Sequence, residues 1–200
     1  MKLFNANNFY SLSDEELLKL VCKSDNKAFE ELYKRYSNKL QFFFFRILKK
    51  DKEKARDFMH DLFVKVIEKA RMFDTSKTFS TWLYTMALNM CKNELKKEIT
   101  SNKYNEQITK EDFILNNNNL LEEIDLPYYK KQLDKALEEL DESKRVAFIL
   151  RYQEELSVKE IAEILNCPEG TVKSRIFYAI ELLSKKLTTF KHTIIYEHTR

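Results

Sequence analysis

The stretch Ser157–Leu187, SVKEIAEILNCPEGTVKSRIFYAIELLSKKL, decides how this chain folds. It opens on an S-x-x-E capping box, Ser157 to Glu160, with Leu156 and Ile161 placed as the hydrophobic staple of a helix entry. Ile161 and Leu165 mark one apolar face, and Ala162 beside them is small enough to let a second helix come close. Asn166 tolerates the left-handed backbone that turns a chain, and Pro168 suits the first turn of a following helix. In that helix Val172, Ile176, Ile180, Leu183 and Leu187 recur at helical spacing, leaving Thr171, Lys173, Ser174, Arg175, Phe177 and Tyr178 for other faces. The pattern predicts a helix-turn-helix whose second, basic helix fits the major groove of DNA. A plain αα-hairpin carries the same periodicity, so spacing alone leaves both readings open.

Composition agrees with helices and little else. One glycine and two prolines in 200 residues are too few for the tight turns of sheets, so the fold class is all-α. Hydrophobic residues at 44% and charged residues at 34% describe a soluble chain long enough for one domain or two small ones. The densest apolar run, Phe42–Phe45, falls far short of the roughly 20 residues a membrane span needs, which argues against membrane insertion. The start, MKLFNANNFY, has no signal-peptide layout and reads as disorder, so the expected location is cytoplasmic. Cys22, Cys91 and Cys167 are far apart with no C-x-x-C, and His60, His192 and His198 are scattered; neither a metal site nor a cofactor is expected. The net charge is +3, but it is unevenly spread. Five basic and nine acidic residues lie between Asp134 and Glu163, a balance of −4; five basic and two acidic lie between Glu169 and Lys191, a balance of +3. A basic helix beside acidic supports fits one element meeting phosphates, and a solvated charged face also accounts for it.

Upstream, a second capping box runs from Ser13 to Glu16, with Leu12 and Leu17 as its staple. Asp25 is placed to cap a helix in which Phe29, Leu32, Tyr36, Leu40, Phe43 and Ile47 share a face. A charged break at Lys49–Lys54 precedes a helix over Asp57–Ala70, with Leu62, Phe63, Val66, Ile67 and Ala70 inward. Phe79, Leu83, Met86 and Met90 place another from about Thr78 to Lys97. Between Glu98 and Pro127 the periodicity fails around the run Asn116–Asn119, which reads as a flexible linker with a short helix near Phe113–Leu115. Helices over Tyr129–Leu140 and Glu142–Tyr152, the latter capped by Asp141, lead into the helix-turn-helix, and Thr188–Arg200 reads as frayed.

Two long stretches resemble RNA polymerase sigma factors of the small extracytoplasmic-function group. Ala55–Lys97, with ARDFMHDLFVKVIEKARMFD and TFSTWLYTMALNMCKNELKK, is similar to the sigma-2 region, preceded by AFEELYKRY at Ala28–Tyr36. Ala136–Leu187, with LEELDESKRVAFILRYQEELSVKEIAEILNCPEGTVKSRI, is similar to the sigma-4 region. TFSTWLY and CPEGTVKSRI are specific in this order and separation, whereas a sigma-4-like motif alone also ends many response regulators. The resemblance implies two helical domains, 11–97 and 128–190, joined by a linker at 98–127. It implies binding to core RNA polymerase, recognition and melting of a promoter, and no catalytic residues.

It also implies roles for residues. Asp57, His60, Asp61 and Lys65, with Phe63 as a partial anchor, would meet a coiled coil of the polymerase largest subunit. The family wording there is D-x-x-Q-E; here His60 and Asp61 stand in its last two places, opening a route to pH sensitivity. Phe73, Asp74, Thr75, Ser76, Lys77 and Thr78 would pocket an extruded base of the −10 element, where stacking surfaces and amides serve separated strands. Trp82 is a core-edge anchor or a base stacker, Tyr84 shares its helix, and Asn89 reads a base because its amide donates and accepts at once. Lys92 and Lys96 would serve phosphates. Many relatives carry arginine where Thr85 or Leu88 stands, so promoter preference does not transfer from them. Arg151, Thr171, Lys173, Ser174, Arg175, Phe177 and Tyr178 would meet the −35 element, Phe177 packing on a thymine methyl. Relatives often have arginine at Tyr178 and Ile180, which weakens the electrostatic footprint here. Gly170 implies close approach by DNA or by the preceding helix. Many members are held by an anti-sigma partner, often membrane-bound, so promoter DNA, core polymerase and an anti-sigma factor are the expected partners. The residues alone also fit a dimeric regulator with a helical sensor. An enzyme lacks support, since no phosphate loop, metal spacing or nucleophile–base pair is present.

Overall fold

Side-chain caps start most of the helices. Ser13 and Glu16 exchange bonds, Glu16 N–H to Ser13 Oγ at 3.2 Å and Ser13 N–H to Glu16 Oε2 at 2.8 Å, to open α1 (Asp14–Val21). Asp25 accepts the N–H groups of Lys27 and Ala28 at 3.0 and 3.1 Å to open α2 (Asn26–Ile47). Asp51 accepts from Lys54 N–H at 2.9 Å to open α3 (Lys52–Lys69). Such caps are each worth about 1 kcal/mol. The computed structural model describes residues 9–48, 51–101 and 133–186. Among these, every regular element is a helix, and they fall into two compact units, one within Met1–Phe113 and one within Ile114–Arg200.

In the first unit a single-turn 3-10 helix (Phe9–Ser11) precedes α1, another (Ala70–Met72) follows α3, and α4 (Phe79–Ser101) closes the bundle. α2 packs along α1 and α3, and α4 touches all three. The core is heavily aromatic: Phe43, Phe44, Phe79 and Tyr84 are fully enclosed beside Leu17, Leu18, Leu32, Leu40, Leu62 and Leu83. Each such side chain contributes about 1.5–3 kcal/mol by leaving water. Edge-to-face pairs, Phe43–Tyr84 at 5.4 Å and Tyr36–Phe79 at 5.3 Å, lock α2 against α4. Lys54 ties α3 to α4 through Glu94 at 2.8 Å and Glu98 at 2.6 Å. Burial works to lower the Lys54 pKa, but the two carboxylates outweigh it and hold the ammonium form.

Four expectations need correction here. α3 begins five residues earlier than Asp57, because Asp51 caps it inside a charged run that shows no apolar period. Ile67 faces solvent rather than the core, lying one position off the stripe of Leu62, Phe63, Val66 and Ala70. Phe9 and Tyr10 are ordered: the Arg35 guanidinium donates to both carbonyls at 3.1 Å. α4 continues through residues 98–101, into the expected linker. The remainder of that linker, the short helix near Phe113–Leu115, the start of the helix at Tyr129 and the tail after residue 187 lie outside the described residues.

The second unit holds helical residues 133–138 (α5), α6 (Glu142–Tyr152), α7 (Val158–Leu165) and α8 (Glu169–Lys186). Asp141 caps α6 by accepting Lys144 N–H at 3.0 Å. The Lys144 ammonium and the Ser143 hydroxyl, with that N–H, hold its carboxyl well below the usual carboxylate range. α8 is the centre of the unit and packs on both α6 and α7. Ala179 and Leu183 close over Ala136, Leu137, Leu140 and Phe148, while Val172 and Ile176 are buried nearer its start.

Candidate nucleic-acid interface

In the second unit the helix-turn-helix forms as its residues require. Ser157 and Glu160 make the capping box, with Glu160 N–H on Ser157 Oγ at 3.2 Å and Ser157 N–H on Glu160 Oε2 at 2.9 Å. Asn166 takes the left-handed conformation, φ 49° and ψ 54°, and ends α7. The Pro168 carbonyl accepts from Thr171 and Val172, so proline stands at the cap of α8, one position before its first turn. Burying Val172 and Ile176 turns Lys173, Ser174, Phe177 and Tyr178 to solvent. The Phe177 and Tyr178 rings meet edge-on at 5.5 Å, making an exposed ledge about one helical turn along from Lys173.

Other expected readers are less free. Arg175 is half-buried and its guanidinium approaches Cys167 Sγ at 3.6 Å, folded back over the turn. Arg151 is half-buried and donates to the Leu156 carbonyl at 3.0 Å, bracing the loop into α7. Thr171 is half-buried, its carbonyl accepting the Ser174 hydroxyl at 2.9 Å. Gly170 has ordinary helical backbone, and nothing lies within 4 Å of where its Cβ would stand. The preceding helix therefore does not require glycine there, which corrects one of its two expected roles.

The first unit presents a loop and a helix face. The loop Phe73–Thr78 turns at Asp74, whose Oδ1 accepts Ser76 N–H at 3.0 Å while its carbonyl accepts Lys77 N–H at 3.0 Å. Bonds from Ser76, backbone first and then hydroxyl, hold the Asp74 carboxyl below its ordinary pKa. Thr75, Ser76, Lys77 and Thr78 are exposed along it. Thr78 caps α4, its Oγ1 taking Thr81 N–H at 3.3 Å. Trp82 is half-buried with Phe73 edge-on at 5.4 Å and Phe79 at 6.0 Å, so it anchors the loop while keeping part of its surface open. Further along α4, Asn89, Lys92 and Lys96 are exposed at spacings of three and four, on one face. Tyr84 is not on that face. It is enclosed at 1% exposure against Phe43, which corrects the expectation that it meets DNA.

On α3, Asp57, His60 and Asp61 are exposed and Lys65 half-buried. Phe63 is interior, as its helical period predicts, 4.7 Å from the Tyr33 ring and 5.8 Å from Phe29, which corrects its expected role as a partial anchor. His60 lies stacked on Tyr33 at 6.3 Å. Sequence reasoning overlooked Val64, 54% exposed, and Met72, 77% exposed, which with Ile67 add an apolar component to this acidic face. Their signal was present as apolar residues off the core stripe, and it needed the helix phase to be read. Large exposed apolar groups rimmed by charge are a mark of protein-contact surfaces.

Comparison with known proteins gives these surfaces a family. Residues 32–99 match the model "Sigma-70 region 2" and residues 130–183 match "Sigma-70, region 4". An ECF RNA polymerase sigma-E factor of Haemophilus influenzae is 33% identical over 186 residues, covering 88% of this chain and 96% of that one. The RNA polymerase sigma-H factor of Pseudomonas aeruginosa is 31% identical over 182 residues, covering 87% and 93%. Among solved structures, the sigma factor RpoE in complex with the anti-sigma factor NepR from Bartonella quintana superposes with TM-score 0.68 at 24% identity, over 81% of this chain and 98% of that one. CnrH in complex with the cytosolic domain of CnrY gives TM-score 0.65 at 20% identity, over 88% and 97%. The structural likenesses speak for the fold, and the sequence match, nearly end to end in both directions, speaks for kinship. With both regions present in order on one chain, this protein belongs to the sigma-70 family of RNA polymerase sigma factors, in its extracytoplasmic-function group.

Proposed function

We propose that the two exposed faces of this sigma factor divide promoter recognition between them, with α3 reserved for core polymerase. As a family member the chain directs promoter-specific transcription initiation, and the near full-length match to sigma-E carries that conclusion. In the division proposed, Lys173, Ser174, Phe177 and Tyr178 meet the −35 element directly. Arg175 joins them once it leaves Cys167, while Arg151 and Thr171 chiefly hold the turn. Phe73, Lys77, Thr78 and Trp82 frame the pocket for an extruded −10 base, Asn89 reads beside it, and Lys92 and Lys96 follow the strand. Asp57, His60, Asp61 and Lys65, with Val64 added, dock on the polymerase.

The exposed residues support this assignment by chemistry. Melted strands need stacking surfaces, amides and cations, and the loop–α4 face offers all three in sequence. A duplex needs a helix with a free polar face, which α8 presents. Tethering two modest readers raises the effective concentration of each, so neither has to bind tightly alone. The factor in this reading contributes no catalytic group, acts in the cytoplasm where the polymerase is, and is held by an anti-sigma factor. No helix among the described residues is long and apolar enough to cross a membrane.

The test is multi-round transcription with purified core polymerase on a library of promoter fragments. Transcripts that appear only when the protein is added, from starts sharing an upstream pattern, are expected. Silence together with absent core binding would overturn the reading.

A further inference from the structure

α4 begins directly after the Phe73–Thr78 loop, and its first turn has a partner from far away in the chain. Phe79 N–H, the first amide of the helix, donates to Glu15 Oε1 of α1 at 2.8 Å across 64 residues. The amides at a helix start lack intrahelical acceptors and require caps. Thr78 supplies the local one, through its Oγ1 to Thr81 N–H, and its carbonyl takes Trp82 N–H at 3.2 Å. A carboxylate at this end also meets the positive pole of the helix. Glu15 is therefore a remote cap.

The turn of α1 that carries this carboxylate is itself held in place. Its neighbour Asp14 points the other way, to the Arg35 guanidinium at 2.7 Å and the Tyr36 hydroxyl at 2.5 Å on α2. Arg35 also binds the Leu12 carbonyl at 2.9 Å and Glu31 at 2.8 Å. Tyr36 closes the circuit by packing its ring on Phe79, whose ring meets Trp82, which in turn meets Phe73. From Arg35 through α1 to the loop, each link is a hydrogen bond or a ring contact.

We propose that Glu15 is a positioning residue for −10 recognition. It fixes the start of α4 so that Trp82 and the Phe73–Thr78 loop hold one conformation before DNA arrives. α1 thus works as a bracket between α2 and α4, one carboxylate to each. This rests on the assignment of the loop to −10 recognition given above.

The sole tryptophan of the chain, Trp82, lies two contacts from the tether and reports on it directly. Parent, Glu15→Ala and Glu15→Gln are compared for Trp82 emission and acrylamide quenching in the free protein, for core affinity, and for the rate of open-complex formation. Glu15→Ala is expected to shift emission, raise quenching and slow opening about fivefold, the scale of a lost helix cap, with core affinity unchanged. Glu15→Gln, whose amide oxygen still accepts from Phe79 N–H, is expected to restore most of the parental emission and rate. Parental emission and opening in Glu15→Ala would overturn the proposal. So would an equal loss of core affinity, or a Glu15→Gln variant no better than alanine. Should the parent itself fail to bind core or open promoters, the sigma assignment fails instead, while Trp82 emission still decides the tether.

Discussion

The two faces proposed as DNA readers are built by opposite means. The α7–α8 reader is local: its capping box spans four residues, its turn rests on Asn166, and its ledge is two adjacent rings, Phe177 and Tyr178. The loop–α4 reader is assembled at a distance. Glu15 reaches Phe79 across 64 residues, Lys54 reaches Glu98 across 44, and Tyr36 and Phe43 of α2 back Phe79 and Tyr84. A surface that reads stable duplex needs only a helix of the right face on a small support. A surface that must hold unstacked bases opposes their restacking, and it needs a rigid floor. On the proposed division of roles, the difference in construction matches that difference in load.

The sharpest way to break the comparison is to remove part of the floor. Tyr84→Ala empties a fully enclosed aromatic site between α4 and Phe43 and is expected to cost about 3–5 kcal/mol. Tyr178→Ala, at a residue 51% exposed on α8, should change stability by less than about 0.5 kcal/mol. Thermal unfolding of both variants checks this. A mild effect at Tyr84 would mean that the first unit does not depend on long-range aromatic packing.

Next in size is the charge on the second reader. Lys173→Ala with Arg175→Ala should weaken promoter binding by the holoenzyme about 100-fold at low salt, as two charge-assisted contacts are lost. The salt dependence sharpens the point. If both cations reach phosphates, the slope of log K against log salt falls by about 2; if Arg175 stays folded on Cys167, it falls by about 1. An unchanged slope would remove both from the phosphate contacts.

Asn89→Ala probes the first reader without disturbing its floor, since the side chain is exposed. Promoter opening should slow about tenfold, the worth of one good base-edge contact, with core affinity and melting temperature unchanged. An equal fall in core affinity would show a structural residue instead.

The same contrast explains how much could be read from residues alone. The helix-turn-helix, both capping boxes and the Asp25 and Asp141 caps were legible, because each is a pattern within a few residues of chain. The all-α class followed from the near absence of glycine and proline. Exposure of Lys173 followed from helix phase, whereas Asp57, His60, Asp61 and Asn89 were singled out by the family resemblance and are exposed. Phe63 was read inward from its period and as a partial anchor only through the resemblance, and Tyr84 was set at DNA by the resemblance alone; packing against Phe29, Tyr33 and Phe43 encloses both. The Asp51 cap was hidden in a charged run. The Glu15–Phe79 and Arg35–Asp14 links leave no local trace at all, since nothing in either segment names its partner. The binding of Arg35 to the carbonyls of Phe9 and Tyr10 was likewise invisible, and with it the order of that segment.

The smallest expected effect discriminates best, because stability and binding should move in opposite directions. Gly170 stands in the first turn of α8 with helical backbone and open space around its missing Cβ. Nothing in the folded chain therefore asks for glycine. Alanine at this position would restrict the unfolded chain and improve helix propensity, so Gly170→Ala should stabilise the second unit by about 0.5–1 kcal/mol. If a DNA backbone approaches the start of α8, beside the exposed Lys173 and Ser174, a methyl group there would stand in its way. Promoter binding should then weaken severalfold while the melting temperature rises. The two measurements made on one protein separate the possibilities. Greater stability with unchanged binding would mean that DNA keeps its distance from the start of α8, and that recognition lies further along, at Phe177 and Tyr178. Lower stability would mean that the first turn of α8 holds a conformation in which alanine is worse than glycine, contrary to the open space observed.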